Sequence, residues 1–525
     1  MEAHEAAVKK ISAKVKEFHD RKEGFRIYHG STNTTRRSER TRETMVDLSS
    51  LNNVLRVNSQ NKTASVEPNV PMDELVKATL KHNLLPCVVM EFPGITCGGA
   101  FAGTGGESSS FKYGTFDRTV TQVEMVLANG DVVRASELEN SDLFVGSAGA
   151  FGTLGVLTLL EVNLIDAKRY VELTYHPLAA LPDVVAETRK QCKPEANNDF
   201  VDGILFRPAT FKKKQPSATV ITGKLVDKPS DSKKTSRINR FTRPLDPWYY
   251  VHVQAGLKRG KGSWTELVPV QDYFFRYDRG AFWCGRNGFK YFLMPFNRLT
   301  RLFFDPVMHT RELFVALHAS QNIHRSIIQD LTIPAKHLKE FIEYMIPEFD
   351  ISPLWICPMP PNTLQSTEET NGTPNEKDSN TASAPESTSG ANPPECEGIS
   401  HPDDLYINVG LWGMAPFDIN ESIALNRQLE AKVKELGGAK WLYGQTFYTE
   451  EEFWSIYDKV KYDALRTKYG ATSLPSAYDK VKTNIDVEKT ISFKYGWPFG
   501  GVIGYGAALK ARYMGREYLL SKGKK

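Results

Sequence analysis

Apolar residues in the opening segment MEAHEAAVKKISAKVKEFHDRKEG recur at helical spacing among many charges, which predicts an amphipathic helix over residues 1–24. From Phe25 to about Ala167 the pattern changes to short Val/Ile/Leu runs separated by Gly, Asn and Asp. VLRVNSQNKTASVEP reads as two strands around a polar turn at Ser59 to Lys62. In VTQVEMVLANGDVVRAS, Ala128 to Asp131 predict a hairpin, because Asn-Gly readily supplies the positive φ angles of a type I′ turn. MDELVKATLKHN, after Pro71, carries helical spacing. Residues 25–167 therefore read as an α+β domain of many short strands.

From Lys168 to about Pro360 the strands and helices are longer, with aromatic runs such as DYFFRYDRGAFW, and a second domain begins. Ser366 to Glu395 has almost no large apolar residue, so residues 361–400 read as a disordered insertion that burial cannot order. Pattern returns over 401–485. DDLYINVGLWG is a strand, and ESIALNRQLEAKVKELGG is a helix closed by Gly437 and Gly438. AKWLYGQTFY reads as a strand, and TEEEFWSIYDKVKYDALRTKYG as one helix with a capping box from Thr449 to Glu452. The substrate domain is thus expected in two parts, 168–360 and 401–485, before a Gly/aromatic and then basic tail over 486–525.

Composition narrows the classes. The 525 residues exceed what one core usually serves. With 66 basic against 62 acidic residues the net charge of +4 gives no argument for nucleic acid as a partner. The cysteines show no Cys-x-x-Cys spacing, so no metal site is expected, and reduced thiols in a cytoplasmic setting fit best. The N-terminus has no apolar signal region, and no stretch is long enough for a membrane span. The nearest, Tyr495 to Leu509, precedes Lys510, Arg512, Arg516 and the terminal SKGKK. It reads either as a peripheral anchor beside anionic lipid or as a packed tail.

GTGGESSSFKYG, Gly103 to Gly114, resembles a dinucleotide loop, but its continuation GESSSFKYGTFDR is too polar and Gly-interrupted for the crossover helix that a Rossmann site needs. Three other segments matter. RIYHGSTNTTR offers hydroxyls and backbone N–H groups to a diphosphate directly after an apolar strand. FPGITCGGAFAGTGG lets backbone approach a flat or charged ligand, and SDLFVGSAGAFGTLGVLTLLEV joins a Gly-rich turn to a buried strand.

In this order the segments resemble the PCMH-type (vanillyl-alcohol oxidase-like) FAD-binding domain, an α+β fold of two subdomains with FAD extended between them. The resemblance assigns Gly30, Ser31, Thr32 and Asn33 to the diphosphate, with His29 at the phosphate side of that loop. It assigns Thr96, Gly98, Gly99, Gly103, Thr104, Ser108, Ser109 and Ser110 to diphosphate and ring contacts, and Gly152, Thr153, Gly155 and Val156 to the other face. Some members attach FAD through a histidine where Thr32 stands here, so non-covalent FAD is expected. GTGGESSSFKYG, YDRGAFW, QDLTIP, LWICP, DLYINVG and LYGQTFYTEEEFW further resemble the delta(24)-sterol reductase (Diminuto/Dwarf1) group over about residues 60–485. Members typically carry an N-terminal membrane segment that is not evident here, and HGSTNTT differs from the usual first loop.

The resemblance implies NADPH-driven, FAD-dependent saturation of the 24(25) double bond of a sterol-like lipid, at the endoplasmic reticulum membrane peripherally or in the cytoplasm. Such an alkene has no carbonyl to accept electrons, so protonation by an enzyme acid with hydride from reduced flavin is the expected course. Asp330 in IIQDLTIP, Tyr406 in DLYINVG and Tyr443 in WLYGQTF are the candidate acids. Tyr273, Phe274, Phe275, Tyr277, Phe282, Trp283 and Trp355 form either a lipid slot or plain core. Arg279 and Lys112 answer cofactor phosphates or sit at the surface. The alternatives are a flavin oxidase or dehydrogenase of the same fold acting on an alcohol or hydroxy acid, and a non-catalytic sterol-binding protein.

Overall fold

The computed structural model describes residues 1–29, 35, 43–208, 215–229, 238–260, 262–321, 323, 326–360, 405–416, 418–484 and 497–514. The expected disordered insertion, and Gly30, Ser31, Thr32 and Asn33 of the first glycine loop, lie outside the described residues.

β1 (Arg26–Tyr28) and β2 (Met45–Asp47) form a parallel pair. β3 (Val54–Asn58), β4 (Thr63–Val66), β6 (Val120–Val126), β7 (Val132–Ser136) and β8 (Val156–Asp166) make an antiparallel sheet in the order β3-β4-β8-β6-β7, and β5 (Leu84–Pro86) pairs with the far end of β8. Helix α1 (Glu2–Asp20) buries His4, Val8, Ile11, Val15 and Phe18, a spacing that keeps one face inward. His4 reaches Glu67 at 2.8 Å and Glu124 at 3.2 Å, and Ser12 Oγ donates to Gly130 O at 2.6 Å. Each fully buried side chain such as Val15 or Phe18 contributes about 1.5–3 kcal/mol. Helix α2 (Met72–Leu80) forms after Pro71 as its spacing predicts, burying Met72, Leu75, Val76 and Thr79.

The β6–β7 hairpin forms, but not with a type I′ turn. Gly130 takes φ 94° while Asn129 is not in the left-handed region. The connection spans Leu127 to Asp131, Gly130 N donates to Leu127 O at 2.9 Å, and Asn129 Oδ1 accepts from Asp131 N at 3.0 Å. The longer loop gives Asn129 a side-chain role and leaves only the glycine with positive φ.

β9 (Tyr170–Leu178), β10 (Phe200–Leu205), β11 (Ala218–Val226), β12 (Trp264–Pro269), β13 (Ser326–Pro334), β14 (Leu354–Met359), β15 (Tyr406–Met414) and β16 (Ala439–Lys440) form an antiparallel sheet in the order β12-β9-β11-β10-β14-β15-β13-β16. Strand alternation divides its centre. Ile327, Leu331, Ile356, Ile407, Val409 and Leu411 pack against the helices Leu338–Phe349 and Ile419–Glu435. Ile328, Trp355, Cys357 and Trp412 face the other way, into a core shared with the first sheet. The molecule is α+β.

Two expected elements are shorter than the pattern implied. Only Ala439–Lys440 of AKWLYGQTFY pairs as a strand, after which the chain turns and sends Trp441 and Tyr443 into a cavity. TEEEFWSIYDKVKYDALRTKYG is two helices, Glu450–Trp454 and Lys459–Lys468, because Asp458 caps a new start by accepting from Lys461 N at 2.9 Å. The capping box between Thr449 and Glu452 is present.

Candidate active site

Three neighbouring strands of the large sheet build one wall. Asp330 on β13 and Trp355 on β14 both stand opposite Gly410 of β15. A Cβ at Gly410 would lie 3.1 Å from Asp330 Oδ1 and 3.2 Å from Trp355 Cβ, so the glycine lets the acid and the indole stand side by side. Asn408 and Trp412, two residues either way along β15, share this face. The opposite wall is the glycine segment. Helix α3 (Cys97–Ala102) starts at Thr96, whose Oγ1 accepts from Gly99 N at 3.1 Å. A Cβ at Gly98 would lie 2.7 Å from Pro68 Cβ, so only glycine lets the helix seat this deeply.

Between the walls lies a cavity of about 340 Å³. His29, Thr96, Gly98, Gly99, Gly103, Gly152 and Gly155 line it from the first domain, and Asp330, Trp355, Asn408, Trp412, Trp441 and Tyr443 from the second. Residues more than three hundred positions apart in sequence thus meet. Thr104, Thr153 and Val156 stand behind this lining. Thr104 O accepts from Trp441 Nε1 at 2.7 Å, Thr153 Oγ1 donates to Ala150 O at 2.7 Å, and Val156 is buried at the start of β8.

Other sequence candidates are placed elsewhere. Ser108, Ser109 and Ser110 are buried with their hydroxyls engaged by protein: Ser108 Oγ with Tyr273 Oη at 2.8 Å, Ser109 Oγ to Cys87 O at 2.8 Å, and Ser110 Oγ from Glu107 N at 2.8 Å. Ser108 ties the loop to the second domain, Ser109 and Ser110 tie it to the first, and none of the three lines the cavity. Tyr406 is at the first residue of β15, half-buried and outside the lining. Of the aromatic candidates only Trp355 lines the cavity. Tyr273 and Tyr277 clasp Arg276, whose guanidinium lies 4.0 and 4.6 Å from their ring centroids and 2.6 Å from Asp202. Those aromatics are core around a buried ion pair. Arg279 is equally committed, buried 2.7 Å from Asp305, and Lys112 lies 3.6 Å from Asp199.

Asp330 is the chemically prepared group. Tyr443 Oη donates to its Oδ2, and Asn408 Nδ2 donates to its Oδ1 at 3.0 Å. Burial pushes its carboxyl above the usual range, although those hydrogen bonds oppose the shift. Glu91 belongs to none of the sequence motifs, yet it lines the same cavity, and burial together with nearby Glu107 and Asp330 holds it well above its ordinary value. The sequence did contain a signal, because Glu91 is the only charged residue between His82 and Glu107. Among the described residues no cluster of His, Cys, Asp and Glu could hold a metal ion.

An FAD binding domain family matches residues 5–136. The lining suits that cofactor: Gly99 and Gly103 carry no side chain where a Cβ would crowd Thr96 Oγ1 at 3.1 Å or Gly99 O at 3.0 Å, so the backbone there is open to a flat or charged group. The human delta(24)-sterol reductase is 29% identical over 443 residues, covering 82% of this chain and 76% of that protein. The Arabidopsis thaliana delta(24)-sterol reductase is 29% identical over 476 residues, 86% of this chain and 79% of that protein. Over most of its length the chain is thus similar to delta(24)-sterol reductases of animals and plants. A cytokinin dehydrogenase of rice is 29% identical over 133 residues only, 25% of each chain. The sterol reductases alone among these three match more of the chain than a flavin domain occupies, so their likeness reaches the large sheet that carries Asp330. No helix among the described residues is long and apolar enough to cross a membrane.

Proposed function

We propose that the protein reduces the 24(25) side-chain double bond of a sterol with non-covalently bound FAD and NADPH as reductant. The observation that carries this reading is the meeting, in one cavity, of a glycine-lined wall and a buried Asp330–Tyr443 pair. Bound FAD would supply hydride transfer to carbon. Gly99, Gly103, Thr96 and His29 would hold the cofactor, with Gly152 and Gly155 on its other side.

The chain's own part is the proton. Burial favours the neutral form of Asp330, so at neutral pH a larger fraction of it carries the proton that an alkene carbon requires. Asn408 and Tyr443 fix the two carboxyl oxygens, orienting the acid toward the cavity. The faces of Trp355, Trp412 and Trp441 offer π density to the positive charge that develops on the substrate, and they exclude the water that would capture it. Tyr406 stands too far along β15 to share this role directly.

NADPH and a peripheral site at the endoplasmic reticulum membrane belong to the same reading. The rival reading is an oxidase or dehydrogenase, and the rice cytokinin dehydrogenase shares only a flavin-domain length with this chain. Anaerobic stopped-flow absorbance of the purified holoprotein separates them. Bleaching of the flavin band by NADPH supports the proposal, whereas bleaching only by a small alcohol or hydroxy acid overturns it.

A further inference from the structure

The C-terminal helix Phe499–Met514 is turned inside out relative to an ordinary surface helix. Its buried positions are Gly500, Gly504 and Ala508, seated against the helix Thr310–Ala319 so closely that a Cβ at Gly504 would lie 2.7 Å from Ala316 O. Its large apolar residues point the other way. Phe499 is 58% exposed, Val502 59% and Tyr513 94%, with Ile503 and Leu509 also exposed. Burial alone would have placed these side chains inward.

The neighbouring segment 292–303 continues the surface. Trp497 Nε1 donates to Tyr291 O at 2.8 Å, Gly501 N donates to Tyr291 Oη at 3.1 Å, and the rings of Tyr505 and Phe304 are 6.1 Å apart. Leu293 is 80% exposed, Leu299 75% and Phe303 71%. Of the 22 exposed large apolar side chains among the described residues, 13 lie on these two segments, which is far from the scatter that a solvated surface shows.

Charge identifies the occupant. Residues 285–304 contain Arg286, Lys290, Arg298 and Arg301, and residues 497–514 contain Lys510 and Arg512, with no Asp or Glu in either segment. Arg512 is paired with Glu312 of the helix beneath at 3.2 Å, but the two segments themselves carry no anion, and exposed apolar side chains among the remaining cations complement an anionic bilayer, where apolar tips enter the acyl boundary and the cations meet phosphate headgroups. We infer that the surface formed by residues 292–303 and 497–514 docks the protein on an anionic lipid bilayer.

The surface adjoins the cavity. The helix Thr310–Ala319, which seats the C-terminal helix, also carries Arg311, bound to Asp73 at 2.9 and 3.0 Å and to Pro93 O at 3.1 Å. Its Cγ lies 3.0 Å from where a Cβ on Gly94 would stand, and Gly94 lines the cavity. One helix therefore joins the docking surface to the cavity wall, a short route for a membrane lipid. This part of the argument rests on the sterol reading.

The test is co-sedimentation of the full-length holoprotein with phosphatidylcholine vesicles and with vesicles containing about 30% phosphatidylserine. We expect binding to the anionic vesicles that falls at least tenfold in 0.5 M salt, and at least tenfold in a Leu293→Glu, Phe303→Glu, Phe499→Glu variant with unchanged circular dichroism and flavin content. Turnover of a vesicle-borne 24(25)-unsaturated sterol is expected to fall in that variant, and turnover of the same sterol delivered in cyclodextrin to persist. Equal vesicle binding by native and variant protein overturns the inference. So does a native dimer that the variant converts to monomer without any native vesicle binding, because the surface would then serve a second copy. Anionic-vesicle binding lost in the variant, with no sterol turnover in either format, supports the docking surface and defeats the functional reading.

Discussion

At the residue scale, Asp330 is set apart by its surroundings. It stands in a β-strand whose nine residues are all buried, and it shares its two oxygens between Asn408 and Tyr443. A carboxyl whose value is raised in the fold binds protons that the unfolded chain releases, so it opposes folding increasingly as pH climbs from the unfolded value of about 3.9. Replacing it by Asn keeps an acceptor for Asn408 and offers a donor to Tyr443. Asp330→Asn is therefore expected to leave the melting temperature at pH 7 unchanged or higher, while sterol reduction falls roughly 10²–10⁴-fold and flavin reduction by NADPH persists. Parallel thermal melts and single-turnover assays check this. Loss of both folding and flavin reduction would make Asp330 structural. The wild-type rate of sterol reduction is expected to decline as pH rises through the raised value of this carboxyl, because the acid form is consumed. Asp330 was legible in the sequence as a charge in an apolar strand. Its partner Tyr443 was legible separately, but their meeting across 113 positions is a matter of sheet order, which local pattern does not contain.

At the scale of elements, helix α3 and its neighbours carry the flavin reading. Gly99 faces the cavity with only Thr96 Oγ1 near its missing side chain. Gly99→Val is expected to raise the dissociation constant for FAD at least tenfold, about 1.4 kcal/mol, with little change in helix content. A flavin titration monitored by fluorescence measures it, and unaltered affinity would remove α3 from the cofactor site. The glycines of this segment were legible as close-approach positions. The serines Ser108 to Ser110 were not legible as structural, since a hydroxyl facing a phosphate and one facing Tyr273 look alike in sequence. A second element, the start of helix Thr310–Ala319, carries a charge device. Burial works against a charged His309, but Asp278 at 2.6 Å and Asp305 at 3.6 Å outweigh it and raise its value to about 10. A raised histidine stabilises fully below its unfolded value of about 6.5, and loses that contribution as pH climbs through about 10. His309→Gln is expected to cost about 1.5–3 kcal/mol at about pH 6 and almost nothing at about pH 10.5. Denaturant melts at the two values check the sign, and an equal loss at both would show that the ion pair contributes nothing.

At the scale of the whole molecule, two sheets of different legibility share one core. The first domain was legible best in its hairpins β3–β4 and β6–β7, whose connections are short and carry Asn, Gly and Asp. The second was legible as aromatic-rich and mixed, but its eight-strand order was not, since β13, β14 and β15 pair across separations that no window of sequence spans. The aromatic run near Tyr273 shows the limit: its composition fits a lipid slot, yet it surrounds Arg276 and Asp202 in the interior. The wall that faces the flavin segment is instead built by Trp355, Trp412 and Trp441, drawn from three places in the chain. The central claim is that this shared cavity saturates a sterol side chain. Its most direct test is mass spectrometry of sterols after anaerobic incubation of the purified holoprotein with NADPH and a 24(25)-unsaturated sterol. The account predicts a product two mass units heavier, reduced in the side chain and absent when NADPH is omitted. Unchanged sterol across several such substrates, from a protein whose flavin is reduced by NADPH, would contradict it.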